Sequence, residues 1–301
     1  MFGNIKEGNI PIGESEMQYV VFGKGTISLV IIPGLSDGLR TVKGTELMLW
    51  YLYRKFAMEF QVWVFSRKNK LKSQMTTREM AKEQALAMDK LELNKACIMG
   101  ISQGGMIAQW LAIDHPQKVD KMVLVVTLSR PNHNIQRVIG HWIDLAEKED
   151  YGKLAIDNME KNYSENNIKK IRPFYWFVKK VIKPVSKERF IIQAISCLTH
   201  DAYQELNKIK CPTLIIGGGA DKIIGGVEVQ QEMAKAISGS KIIIYPKLGH
   251  DAYTKKNFHQ IVLDFLGQNK AGDSQICTER MGSNLYRLTE NNSIIQQKQR
   301  K

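Results

Sequence analysis

Three side chains in this sequence have the types and spacing to do chemistry together: Ser102, Asp221 and His250. The chemistry they could do is nucleophilic attack on a carbonyl. A serine hydroxyl is a poor nucleophile at neutral pH and needs an imidazole to accept its proton. The imidazole in turn needs a carboxylate to hold its tautomer and stabilise its positive form. Ser102 stands in Gly100-Ile101-Ser102-Gln103-Gly104-Gly105, a G-x-S-x-G pattern. The pattern is weak alone, but here an apolar run, 96–99 (ACIM), precedes it and a helix-forming run follows. A nucleophile on so tight a turn takes strained backbone angles, and residues two away must be glycine to avoid clashes. The helix start behind it offers free N–H groups and a positive dipole end to an oxyanion. The bland alternative is a glycine-rich strand–helix turn with an incidental serine.

Of six histidines, His115 lies on the His-Pro step that ends the helix after the serine. His133, His141 and His200 fall in a strandless middle stretch, and His259 inside the last helix. His250 follows a late strand on the short loop Leu248-Gly249-His250-Asp251, where a parallel sheet places its catalysts. Asp221 follows the run TLII through Gly217-Gly218-Gly219-Ala220, also at a strand's carboxyl end. The order Ser, Asp, His suits a strand–turn–helix serine. Asp251 is adjacent to the histidine and points elsewhere in most loop geometries. The alternatives for these two are a surface loop histidine and a turn or cap aspartate.

The elements that must position these groups alternate. Runs 17–22 (MQYVVF), 27–32 (ISLVII) and 61–65 (QVWVF) are β-rich, with a helix expected over 46–58. Residues 77–91 carry apolar positions near a 3.6 period, capped by Thr76 or Thr77 with Glu79 in the first turn. Strand 96–99, a helix over 106–113 and strand 123–126 follow. From 129 to 205 the segments are helix-like with no clear strand; then come strand 213–216, helix 227–237, strand 241–245 and helix 257–266. The expectation is one α/β domain with a doubly wound, mostly parallel sheet, interrupted by a helical cap. Its boundaries are core 1–128, cap 129–205, core 206–268 and a polar, flexible tail 269–301.

The chain has 301 residues, 44% of them hydrophobic, which excludes wholesale disorder. The net charge is +13, yet no zinc finger, RNA-binding signature or basic repeat with interleaved aromatics is present, so no nucleic-acid partner is expected. Cys97, Cys197, Cys211 and Cys277 match no metal or disulfide spacing and suggest a reducing compartment. The N-terminus lacks a signal-peptide layout, and no apolar run approaches the ~20 residues that span a bilayer. A cytoplasmic location is the expectation.

Residues 17–267 resemble the α/β-hydrolase superfamily, in its esterase, lactonase and C–C hydrolase branch. GISQGGMIAQWLA with HPQKVDKMVLV resembles the nucleophile elbow, its helix and the next strand; CPTLIIGGGADKII resembles the acid loop, and KLGHDAY the histidine loop. The resemblance implies an oxyanion hole made by the backbone N–H groups of Leu35 and Gln103. It implies ester or lactone hydrolysis through an acyl-enzyme, with no metal or organic cofactor. Alternatives at the same triad are acyl transfer, C–C hydrolysis, aminopeptidase action or slow-turnover ligand reception. Two departures stand out. The family's His-Gly is here Pro33-Gly34, and its Asp-x-x-Gly-x-Gly-x-Ser segment is replaced by the basic RKNKLKSQM at 67–75, a change expected to bear on the pocket entrance. The cap, rich in Trp142, Tyr151, Tyr163, Phe174, Tyr175, Trp176 and Phe177, points to a small-molecule substrate with an apolar acyl or aryl group, or else merely packs on the core. The basic aromatic stretch 169–189 raises peripheral contact with an anionic membrane as a lesser expectation.

Overall fold

The structure, a computed structural model, describes residues 4–163, 165–176, 184, 186–267, 286–288 and 294–295. The expected runs form β2 (Ser15–Phe22), β3 (Ile27–Ile32), β4 (Phe60–Lys68), β5 (Ala96–Ile101), β6 (Val119–Val125), β7 (Thr213–Gly218) and β8 (Lys241–Tyr245). A further strand, β1 (Lys6–Ile12), pairs antiparallel with β2. It is polar and carries Pro11, and only Ile10 and Ile12 reach the core, so it has the features of an edge strand rather than a buried one.

The sheet runs β1-β2-β4-β3-β5-β6-β7-β8, extended by two short strands, β9 (Tyr286–Leu288) and β10 (Ile294–Ile295). β4, β3, β5, β6, β7 and β8 are parallel to one another in that order, whereas β2 meets β4 antiparallel. Every residue of β5 and β7 is buried, as strands covered on both faces require. One face packs Met80, Met88, Ile107 and Met233 from the helices Thr77–Lys90, Gln103–Asp114 and Val227–Ala236. The other packs Leu49, Tyr53, Phe258 and Val262 from Glu46–Tyr53 and Phe258–Gly267. The helix expected over 46–58 ends at Tyr53; a tighter 3₁₀ turn, Phe56–Met58, sends Phe56 into the core against Tyr53 and Phe258. Thr76 caps the helix Thr77–Lys90 in a reciprocal box with Glu79.

Between β6 and β7 lie the helices His133–Glu147, Tyr151–Asn162, Glu165–Ile171 and Lys187–Leu198. Asn132, Asp150 and Ser186 cap three of their N-termini. Their apolar faces gather Ile135, Val138, Trp142, Leu154 and Phe190 onto Leu35, Met106, Ile223 and Ile224. The insertion therefore sits over the carboxyl ends of the strands. Residues 177–183 and 185 of the basic cap stretch lie outside the described residues. So does the expected flexible tail, apart from β9 and β10. Among the described residues no helix is long and apolar enough to cross a membrane.

Candidate active site

The site begins where β5 ends. Ser102 has φ 55° and ψ −120°, a left-handed conformation that costs a residue with a side chain about 1–3 kcal/mol. Its backbone is held on three sides: its N–H donates to Val125 O (2.9 Å), and its C=O accepts from Gly105 N (2.8 Å) and Thr127 Oγ1 (2.8 Å). The helix begins directly at Gln103, earlier than the expected 106. Its start crosses the end of β3 so closely that a Cβ at Gly104 would lie 1.9 Å from Ile32 O; glycine is therefore a requirement of the turn.

The loops after β7 and β8 are brought together by extending their ladder past the strand ends, through Gly219 N→Tyr245 O (2.9 Å) and Ala220 N→Leu248 O (2.9 Å). This places Asp221 Oδ2 2.7 Å from His250 Nδ1, and His250 Nε2 2.9 Å from Ser102 Oγ. The other carboxylate oxygen, Oδ1, accepts from Ile223 N (2.8 Å) and Ile224 N (3.1 Å), which fixes the carboxylate plane. A carboxylate only accepts, so Nδ1 carries the proton and Nε2 of the neutral ring is left to accept from the serine hydroxyl. Asp221 and His250 are both buried, while Ser102 keeps partial exposure. Asp251 instead accepts from Gly249 N (3.2 Å), shaping the histidine loop.

Gly34 and Gln103 adjoin Ser102. A Cβ at Gly34 would stand 3.1 Å from Ser102 Cβ and 3.7 Å from its Oγ, so the loop at Gly34 runs beside the Ser102 hydroxyl. Gln103 is the first residue of its helix, where the N–H has no intrahelical acceptor. The arrangement can move a proton from a hydroxyl to an imidazole backed by a carboxylate, beside helix-start donors suited to an oxyanion. Among the described residues no group of three or more His, Cys, Asp and Glu could hold a metal ion.

The remaining histidines are elsewhere. His133 and His141 are exposed, His115 is half-buried, and His259 Nε2 lies 3.0 Å from Leu52 O. His200 is buried, with Nδ1 2.8 Å from Thr77 Oγ1, and burial lowers its pKa to about 3. Trp142 of the cap is buried and donates to Asp157 Oδ2 (2.6 Å), while Trp176 is exposed. Trp142 thus packs the cap internally.

A second polar cluster, missed in the sequence, adjoins the site. Arg67, expected near a pocket entrance, is fully buried at the end of β4. It meets Asp37 and the cap residue Arg189, both also buried. Burial lowers Arg67 to about 10 and raises the neighbouring Cys197 thiol to about 12. The available signal was the run Ser66-Arg67-Lys68 continuing β4 without a turn residue, which keeps those side chains within the sheet's layers.

A family model described as serine aminopeptidase, S33, matches residues 89–257, which include Ser102, Asp221 and His250. The 2-hydroxy-6-oxononadienedioate/2-hydroxy-6-oxononatrienedioate hydrolase of Paraburkholderia xenovorans (strain LB400) is 23% identical over 299 residues, covering 88% of this chain and 94% of that protein. MGS-M2, an α/β-hydrolase enzyme from a Medee basin deep-sea metagenome library, superposes with a TM-score of 0.78 at 20% identity, covering 89% of this chain and 100% of that one. The enol-lactonase from Burkholderia xenovorans LB400 gives a TM-score of 0.73 at 20% identity, covering 86% and 100%.

Proposed function

Because this chain is a hydrolase belonging to the α/β-hydrolase superfamily, through the serine aminopeptidase S33 family model, we propose that it cleaves a small carboxylic ester or lactone with a Ser102–His250–Asp221 triad. The observation that carries the reading is the continuous path from Asp221 Oδ2 to His250 Nδ1 (2.7 Å) and from His250 Nε2 to Ser102 Oγ (2.9 Å), ending on a strained serine.

The steps follow from that path. His250 Nε2 takes the hydroxyl proton as Ser102 Oγ bonds to the substrate carbonyl carbon, and the carbonyl π pair moves onto oxygen. The N–H groups of Leu35 and Gln103 hold that oxyanion; one such donor is worth ~3 kcal/mol of barrier. Collapse expels the alkoxide, which His250 protonates, leaving an acyl-enzyme. Water then gives a proton to His250 as it attacks the acyl carbon, and the acid leaves with Ser102 restored. Asp221 stabilises the imidazolium in both halves.

The proposed substrate is small with an apolar acyl or aryl group, in keeping with the apolar character of the insertion beside the site. The free, buried thiols of Cys97 and Cys197 support a reducing, cytoplasmic setting. A second reading is C–C bond hydrolysis, favoured by the similarity to the dioate hydrolase over nearly its whole length. Labelling with a fluorophosphonate, followed by turnover of an ester chain-length series, lactones, a 2-hydroxy-6-oxo-dienoate and aminoacyl amides, decides among these. Labelling at Ser102 with fastest turnover of esters or lactones is the expected result; preference for the dienoate transfers the chain to the second reading.

A further inference from the structure

We propose that Arg67 is a positioning residue that holds both sides of the oxyanion hole, and that the Asp37–Arg189 pair ties this hold to the docked cap helix Lys187–Leu198. The proposal rests on the ester- or lactone-hydrolysis reading above. Arg67 Nη2 donates to Pro33 O (2.6 Å) and to Gln103 Oε1 (2.8 Å). Pro33 C=O belongs to the peptide immediately before the one that carries the Leu35 N–H. Gln103 carries the second N–H on its own backbone. One guanidinium nitrogen thus bridges the two segments whose separation sets the hole.

The cap completes the bridge. The Gln103 amide donates in turn to Gln193 O (2.7 Å) and Ser196 Oγ (3.1 Å) of the cap helix. Asp37, two residues after Leu35, accepts at Oδ2 from Arg67 N (3.1 Å), Arg189 Nη2 (2.5 Å) and Gln193 Nε2 (3.3 Å). Arg189 also donates to Lys68 O (3.0 Å), Arg67 O (3.1 Å) and the Asp37 carbonyl. The loop after β3, the end of β4, the elbow helix and the cap helix therefore share one buried set of hydrogen bonds.

Stability alone does not account for this cluster. Burying ion pairs is often no better than packing apolar residues of the same volume. Here two guanidiniums face one carboxylate, and Arg67 Nε and Asp37 Oδ1 have no hydrogen-bond partner. What the polar groups supply, and apolar ones cannot, is direction: the bonds from Arg67 Nη2 and Arg189 fix particular carbonyls and an amide of the segments around the hydroxyl. A hole with donors preset in this way is the condition for oxyanion stabilisation.

The test compares Arg67→Met, Arg67→Lys and Arg189→Met with the unchanged protein, using 4-nitrophenyl acetate, a fluorophosphonate and an aryl trifluoromethyl ketone that forms a tetrahedral adduct. In Arg67→Met, kcat and affinity for the ketone are expected to fall together by about tenfold to a hundredfold, with KM moving by less than about threefold. Arg67→Lys recovers part of the loss, and Arg189→Met shows a smaller loss of the same kind. A merely structural role lowers thermal stability and leaves kcat and ketone affinity per labelled site intact. Folded Arg67→Met keeping both within about twofold overturns the proposal. If Arg67→Met does not fold, Gln103→Met carries the same test under the same limit, since it removes the acceptor of the guanidinium and keeps the backbone N–H. Absence of labelling in the unchanged protein overturns the serine-hydrolase reading and the proposal with it. Labelling with an unaffected variant removes the proposal alone.

Discussion

His250 and His200 are two buried imidazoles, each beside a hydroxyl: His250 2.9 Å from Ser102 and His200 2.8 Å from Thr77. Three differences separate them. His250 has the Asp221 carboxylate behind it at 2.7 Å, whereas His200 has the Leu128 backbone. Ser102 is strained and partly exposed; Thr77 is a buried first residue of an ordinary helix. Finally, the loop at Gly34 runs beside the Ser102 hydroxyl, while His200 faces the edge of Trp110 at 6.2 Å. An imidazole–hydroxyl contact becomes a reactive pair only with a carboxylate to stabilise the imidazolium and room for a carbonyl at the oxygen. Without them the same contact is a neutral tether between the cap's end and the helix Thr77–Lys90.

The contrast can be broken most sharply at Ser102, the proposed nucleophile. Ser102→Ala is expected to lower kcat for 4-nitrophenyl acetate by about 10⁶-fold with an unchanged circular dichroism spectrum. Comparable turnover in that variant would falsify the assignment. Next in size, Asp221→Asn should cost about 10⁴-fold in kcat, since it permits the wrong tautomer while leaving the shape intact; a loss under tenfold would make the carboxylate dispensable.

The His200 side of the comparison is read in stability. Its folded pKa, about 3, lies below the ordinary 6.5, so the unfolded chain binds the proton first as pH falls. Its stabilisation is therefore complete above about pH 6.5 and drains toward pH 3, by up to about 1.4 kcal/mol per pH unit. His200→Gln should flatten that slope in urea unfolding curves taken between pH 7 and pH 4. An unaltered slope would mean that the ring is not buried neutral. Smallest of all, Thr77→Val should lower unfolding free energy by about 1 kcal/mol while kcat stays put; a fall in kcat would make the two histidines less different than the geometry has them.

Much of the site was legible because its residues sit where chain connectivity dictates chemistry. Ser102 lies between an apolar strand and a helix, and Asp221 and His250 follow strands directly, so each strand's carboxyl end marks its own candidate. β1 was not legible: it is half-polar and made a strand by its partner, β2, which local composition does not encode. Arg67 was misplaced for a related reason. A basic run reads as solvent-facing unless something distant neutralises it, and here the partners are Asp37 and Arg189, far from it in the chain.

By itself the sequence determined the alternation of strands and helices, the position of the tight serine turn and the order of the three proposed catalytic side chains, because these depend on neighbours a few residues apart. Tertiary structure alone decided that a second histidine, His200, is buried against Thr77. It also decided that Arg67 turns inward, and that a cap helix shares hydrogen bonds with the loop beside Ser102. Those outcomes depend on groups 30 to 152 residues apart in the chain meeting within hydrogen-bond reach, and the packing of the sheet and its insertion sets that meeting.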